Sequence, residues 1–566
     1  MKLLLPLSAL LSVGLAAPAE QAHAATPVVT ISSPEATIVG LGGDVEEFPG
    51  IPFAKPPTDS NRLKPPQALT EPYGLYEATE NPKACPQFVF STELDDAIPT
   101  SALGKLLASP LFQTALNMGE DCLYLNVHRP AGTTPDSKLP VLFWIYGGGF
   151  ELGWNSMYDG SPWVEKSVEE GKPMIMVTVN YRVGGFGFLP GAEVLADGAA
   201  NLGLLDQRMG LEWVSDNIAA FGGDPEKVTI WGESAGAISV LDQMALYDGD
   251  HTYNGKPLFR GAIMNSGSVI PADPVDCPKG QVVYDTVVEA ADCSSSNDTL
   301  QCLRDTDYDT VLNAMNSVPS LLSYSSVALS YLPRPDGTAL TDTPDELIRS
   351  GRYAPVPFII GDQEDEGTLF ALFQSNITTE AELTHYLSSK YFHNAEPSAV
   401  ASLVATYPDI YDEDGSPFRT GIFNNWYPQY KRLAAILGDL TFTITRRAFL
   451  NIANDVNPDV PSWSYLSSYD YGTPIMGTFH GSDLLQVFFG ILPNYASAAF
   501  HSYYISFVNN LDPNDNSTSG EYAEWPRWSE SNELMSMRAM DSELIGDDFR
   551  SDTYEFLVEN IAEFHI

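Results

Sequence analysis

The chain of 566 residues is 44% hydrophobic and 18% charged, which supplies a large core and argues against disorder. Its 29 basic and 74 acidic residues give a net charge of −45, a polyanion that phosphate backbones and anionic membrane surfaces repel, so nucleic-acid binding is excluded. The 44 glycines and 42 prolines follow no repeating triplet, so a loop-rich globule is favoured over a fibre.

Met1-Lys2 precedes an apolar run over 3–17 and a series of small residues. This reads as an export signal within 1–24, with cleavage after Ala17 or Ala24 and a mature chain of 25–566 that is secreted. A membrane anchor would need about 20 mostly apolar residues. The longer uncharged stretches, 310–333 and 484–511, are broken by proline and polar side chains, so no integral membrane segment is expected. Gly40-Leu41-Gly42-Gly43 lacks the third glycine of a dinucleotide turn.

Short apolar, β-branched runs then alternate with helical patterns. Strands are expected at 141–146, 174–180, 228–231, 261–265, 356–360 and 462–467. Leu211, Val214, Ile218 and Phe221 recur at intervals of 3, 4 and 3, one face of an amphipathic helix. Strands alternating with such helices predict a doubly wound α/β fold, its mostly parallel sheet covered on both faces. The motifs below run from Gly147 to His480 and tie most of the chain into one domain.

Three glycines, Gly147 to Gly149, follow the first of those strands and leave amide N–H groups unshielded by side chains. Gly232-Glu233-Ser234-Ala235-Gly236 sits between a strand pattern and a helix pattern over 235–246. A strand turning sharply into a helix lifts the central hydroxyl above the sheet at a helix N-terminus. Ser234 is therefore the candidate nucleophile, and the N–H groups of the glycine run and of Ala235 are candidate oxyanion donors. Read alone, the glycine run is an ordinary loop.

In this architecture an acid and then a histidine follow the serine. The loop after strand 356–360 carries Asp362, Glu364, Asp365 and Glu366, and spacing does not choose among them. Of the six later histidines, His251, His385, His393, His480, His501 and His565, His480 in the turn Gly477-Thr478-Phe479-His480-Gly481 is the leading base. The five cysteines, Cys85, Cys122, Cys277, Cys293 and Cys302, permit disulfides in an exported protein, with one left over. They form no metal-binding spacing, and Asp512-Pro513-Asn514-Asp515-Asn516 lacks the glycine and glutamate of a calcium loop. No metal or other cofactor is expected. Asn297, Asn376 and Asn516 begin sequons for glycosylation.

The mature chain resembles the Candida rugosa-like family of fungal lipases and sterol esterases, within the type-B carboxylesterase and cholinesterase superfamily. The resemblance rests on Glu120-Asp121-Cys122-Leu123-Tyr124-Leu125-Asn126-Val127, the turn at 147–150 and the turn at 232–236. Tyr331-Leu332-Pro333-Arg334-Pro335-Asp336-Gly337, 361–368 and 477–480 carry it further. The run Gly148-Gly149-Phe150-Glu151-Leu152-Gly153 is similar to that of broad-specificity sterol esterases of filamentous fungi.

The resemblance implies an α/β-hydrolase fold with a catalytic triad of Ser234, Glu366 and His480. It implies oxyanion donors at Gly148, Gly149 and Ala235, and an acyl tunnel lined by Leu321, Val327, Leu329, Leu332 and Phe370. Disulfides Cys85–Cys122 and Cys293–Cys302 follow from it, worth about 4 and about 3 kcal/mol on loop entropy, as do ion pairs Arg62–Glu120 and Arg182–Asp206. Cys277 is left without a role. The loop between Cys85 and Cys122 is the family's lid, here carrying Phe88, Phe90, Leu94, Ile98, Leu103, Leu106, Leu107, Leu111 and Phe112. Without the resemblance, that segment would read as an ordinary surface helix and the tunnel residues as core.

The expected function is a secreted serine esterase that cleaves long-chain fatty-acid esters, acylglycerols and sterol esters, at a lipid–water interface. An apolar lid face also makes a homodimer conceivable. A short-chain carboxylesterase would share the triad and differ in lid and tunnel. A non-catalytic cholinesterase-like binding module is the more distant rival.

Overall fold

The computed structural model describes residues 26–88, 115, 117–408, 415–491, 493–514 and 522–566. The expected export signal, most of the Cys85–Cys122 loop expected to be a lid, and Asn516 lie outside the described residues.

Strands in chain order are β1 (Val28–Ser32), β2 (Glu35–Val39), β3 (Val45–Pro52), β4 (Gly74–Glu77), β5 (Tyr124–Pro130), β6 (Leu139–Ile145), β7 (Ile175–Val179) and β8 (Gly223–Glu233). They continue with β9 (Thr252–Tyr253), β10 (Lys256–Pro257), β11 (Gly261–Asn265), β12 (Phe358–Gln363), β13 (Ser462–Ser467), β14 (Glu533–Met537) and β15 (Ser542–Gly546). Ten of them form one sheet in the order β15-β14-β13-β12-β11-β8-β6-β7-β5-β3. From β14 through to β7 every neighbouring pair is parallel. The antiparallel pairs lie toward the two edges, at β15 on one side and at β5 and β3 on the other.

The central strands are apolar along their whole length because helices cover both faces. In β7, Ile175–Val179, every residue is buried, so its sequence runs without alternation. At the edge, β15 is largely solvent-facing and its sequence carried no comparable signal. Two expected strands, Gly261–Asn265 and Ser462–Ser467, stand where the pattern places them. The strand expected at 356–360 begins at Phe358 instead, because Pro357 has no N–H to join the ladder and can only accept from Ala262.

Helix Leu202–Asn217 continues into a tight turn, Ile218–Phe221. Leu211, Val214, Ile218 and Phe221 are all fully buried, as their spacing requires. A second apolar core, around Leu152, Leu321, Phe370, Leu433 and Phe479, lies over the carboxyl edge of the sheet.

Cys85 bonds to Cys122, and Cys293 to Cys302. Cys277 is a buried free thiol whose Sγ accepts from the Gly280 N–H at 3.3 Å and caps helix Pro278–Ala290. Arg62 Nη2 meets Glu120 Oε2 at 2.7 Å, and Arg182 Nη2 meets Asp206 Oδ1 at 2.8 Å. Asn297 and Asn376 are exposed. Among the described residues no helix is long and apolar enough to cross a membrane.

Candidate active site

Strand β8 ends at Glu233 and helix Ala235–Gly249 starts two residues later, with Ser234 alone between them. Ser234, in the corner, has φ 59° and ψ −127°, a sparsely populated conformation for a residue with a side chain. Its N–H donates to Asn265 O at the end of β11 (2.9 Å), and its own carbonyl accepts from Ala237 and Ile238 (2.9 and 3.0 Å). The corner is tight enough that a Cβ on Gly236 would lie 2.1 Å from Ile145 O. Glycine is the residue that lets the helix start against the end of β6.

His480 Nε2 is 2.8 Å from Ser234 Oγ, and its Nδ1 is 2.6 Å from Glu366 Oε2. His480 and Glu366 are both almost fully buried. The other Glu366 oxygen, Oε1, accepts from the Gln363 N–H at 2.7 Å, which fixes the carboxylate's orientation. Phe370 and Phe442 pack against the imidazole with ring centroids 4.9 and 4.5 Å away. Such a chain can draw the hydroxyl proton onto the imidazole while the carboxylate holds the ring and stabilises its charge.

The four carboxylates at and just after the end of β12 have separate partners. Asp362 pairs with Arg446 at 2.8 Å, and Glu364 with Arg419 at 2.6 Å. Asp365 accepts from Ser416 Oγ (3.0 Å), Phe418 N–H (2.8 Å) and Thr478 N–H (3.0 Å), so it holds the histidine loop to the acid loop. Burial pushes Asp365 up to about 7, with the Glu364 charge adding to the rise. Among the four, Glu366 is the one in contact with His480.

The glycine run lies directly over the serine corner. A Cβ on Gly147 would stand 2.4 Å from Glu233 O and 2.8 Å from Ser234 Cβ, so only glycine permits the approach. Gly148 and Gly149 have φ of +105° and +63°. Gly149, Ser234 and Ala235 line one cavity together with Leu321, Val327, Leu329, Leu332 and Phe370. The structure thus brings all five expected tunnel residues to the serine. Just after Cys85, the Phe88 N–H donates to Glu151 O at 3.0 Å, next to the glycine turn.

Three buried carboxyls near the site were not singled out from sequence. Glu233 Oε1 is 3.5 Å from His480 Nε2. Burial first, then the charges of Asp483 and Glu366, hold Glu233 well above the usual carboxylate range. Burial raises Asp483 to about 6, against a hydrogen bond from Asn265 Nδ2 at 3.0 Å. Glu233 stands inside the serine motif itself, which is the signal that could have found it. The third, Asp242, is an acidic residue in an apolar helix, eight positions after the serine. Among the described residues, no group of three or more His, Cys, Asp and Glu side chains could hold a metal.

A hydroxyl on a strand-to-helix corner, served by loops at the carboxyl edge of this mostly parallel sheet, defines the α/β-hydrolase class. The solved structure of EstA from Aspergillus niger has the same fold, with a TM-score of 0.80 at 27% identity over 96% of this chain and 99% of that one. The carboxylesterase family model matches residues 26–556, and the chain belongs to that family of carboxylic ester hydrolases. It is similar to secreted lipase 1 of Botryotinia fuckeliana (strain B05.10), at 66% identity over 100% of this chain and 99% of the relative. A secreted triacylglycerol lipase of Gibberella zeae is 58% identical over 96% of this chain and 92% of its own length.

Proposed function

We propose that this carboxylic ester hydrolase is a secreted serine lipase acting on long-chain acylglycerols and sterol esters. The observation that carries the reading is the hydrogen-bonded chain Ser234–His480–Glu366 opening onto a cavity whose walls are almost entirely apolar. Ser234 Oγ attacks the ester carbonyl as His480 Nε2 takes its proton. The oxyanion is held by the N–H groups of Gly148, Gly149 and Ala235, each such donor being worth about 100- to 1000-fold in rate. His480 passes the proton to the departing alcohol, and water repeats the sequence on the acyl-enzyme to free the acid. Glu366 keeps the imidazole in the tautomer that serves both steps.

The acyl chain occupies the cavity past Leu321, Val327 and Phe370. The loop closed by Cys85–Cys122 acts as the lid, and its stem is tied through Phe88 to the glycine turn. Secretion is supported by the leading apolar run and by the names of the two relatives. Ser234→Ala is expected to abolish hydrolysis and labelling by a fluorophosphonate while the protein stays folded by circular dichroism. Full activity in that variant would refute the assignment. A panel of triolein, cholesteryl oleate and short nitrophenyl esters tests the substrate class, and a strong preference for acetate esters would overturn the lipase reading.

A further inference from the structure

Helix Ala235–Gly249 forms one wall of the acyl cavity, and the residues it presents there are Ala235, Ile238 and Asp242. With Ser234 at the helix start, positions 234, 238 and 242 form a stripe on one face. Asp242 therefore stands two turns beyond the serine, about 12 Å along the axis. Its neighbours on the other side of the helix are engaged elsewhere: Ser239 Oγ accepts from Gln207 Nε2 at 3.0 Å, and Gln243 Nε2 donates to Leu204 O at 2.8 Å.

Asp242 is 1% exposed, and among the described residues neither of its carboxyl oxygens has a hydrogen-bond partner. Apart from Ser234 and Thr441, it is the polar side chain in a wall of alanine, isoleucine, leucine, valine, proline, phenylalanine and glycine. Burial pushes its carboxyl up to about 8, so below that pH it presents one O–H donor and one C=O acceptor to the cavity. A carboxyl in this position serves a plain hydrocarbon chain poorly, because the chain covers it without bonding to it.

We propose that Asp242 is a specificity residue that recognises a hydroxyl in the middle of the acyl chain, so that esters of mid-chain hydroxylated fatty acids are substrates of this site. A hydroxyl also carries one donor and acceptor lone pairs, so the two groups can bond reciprocally. Sites built to bond a substrate hydroxyl discriminate against the analogue that lacks it, because the buried protein group is then left unpaired. The proposal rests on the acyl-cavity reading above.

The test is the ratio of kcat/KM for para-nitrophenyl ricinoleate, which has a mid-chain hydroxyl, to that for para-nitrophenyl oleate, using the full chain. The wild-type protein is expected to favour the hydroxylated ester about tenfold. Asp242→Leu is expected to bring that ratio to about one or below, and Asp242→Asn, which keeps a donor and an acceptor, to preserve most of it. A ratio unchanged by Asp242→Leu overturns the proposal. The wild-type protein supplies a second readout that no folding defect can obscure: the preference should be lost for oleate esters hydroxylated beside the carbonyl or at the far end. Equal preference for all three positions overturns the proposal as well. Cleavage of neither parent ester by the wild type overturns both this proposal and the lipase reading; cleavage of both with no discrimination overturns this one alone.

Discussion

Replacing Glu151 by glutamine gives a sharp physical test of how the glycine turn is held. Glu151 is fully buried. Its Oε2 accepts from the Leu321 N–H at 2.7 Å, and its Oε1 has no partner among the described residues. Burial pushes its carboxyl from 4.5 up to about 8, against the pull of the Leu321 hydrogen bond. The sign follows from proton linkage. Below about pH 4.5 the carboxyl is protonated whether the chain is folded or not, and above about pH 8 it is ionised in both. Between those limits the unfolded chain has released a proton that the folded protein retains, so stability falls as pH rises. At about 1.4 kcal/mol per pH unit the loss across the window is about 5 kcal/mol. Glutamine does not titrate, and its side-chain oxygen can still accept from Leu321. Urea unfolding followed by tryptophan fluorescence should therefore find the Glu151→Gln protein similar to wild type near pH 4.5 and increasingly the more stable toward pH 8. A stability difference that stays constant across that range would refute the reasoning, since it would mean that Glu151 is ionised in the native state.

Glu366→Gln should lower kcat about ten-thousandfold with little change in thermal stability, because the amide favours the wrong imidazole tautomer; retention of a tenth of wild-type kcat would refute its role. Arg446→Met should cost about 3–5 kcal/mol in urea unfolding, because it strands the buried Asp362 carboxyl and takes from Asp547 one of its two arginine partners, each carboxyl now lying within 2.8 Å of the guanidinium. Burial works to raise Asp547, but Arg446 and Arg447 outweigh it and hold the carboxyl at about 2. That depressed value stabilises the fold above the unfolded carboxylate range and is lost as pH falls toward 2. The Arg446→Met penalty should accordingly shrink in acid, and a penalty independent of pH would count against the network.

The acidic surroundings of the triad bear on its chemistry. Glu233 and Asp483 lie close to the imidazole and Glu366, and three nearby carboxylates cannot all ionise at low cost in a buried space. Burial, then the charges of Asp483 and Glu366, raise the Glu233 carboxyl well above its ordinary range.

Much of this protein was readable before any contact was known. The serine corner depends on a strand, a turn and a helix that are contiguous, and local preference with glycine at Gly232 and Gly236 specifies it. The buried central strands announced themselves as unbroken apolar runs, because both faces of a parallel sheet are covered. The edges did not: β15 pairs on one side and faces water, so its sequence carries no periodic apolar signal. The choice among Asp362, Glu364, Asp365 and Glu366 was open on spacing alone. They fall within five residues, Asp362 at the end of β12 and the others just past it, and the partner of each comes from a different distant segment: Arg446, Arg419, Thr478 with Phe418, and His480. Hydrogen bonds spanning 114 and 246 residues decide which carboxylate meets the histidine and which histidine meets the serine. Asp242 makes the same point, since an acidic residue in an apolar helix declares only that something unusual is there. That it faces the cavity beside Ser234, with no hydrogen-bond partner among the described residues, is a property of the packed walls around it. Local chain stiffness and apolar periodicity belong to the sequence itself. The pairing of buried polar groups belongs to the tertiary structure, because it depends on which distant surfaces close over them and exclude water.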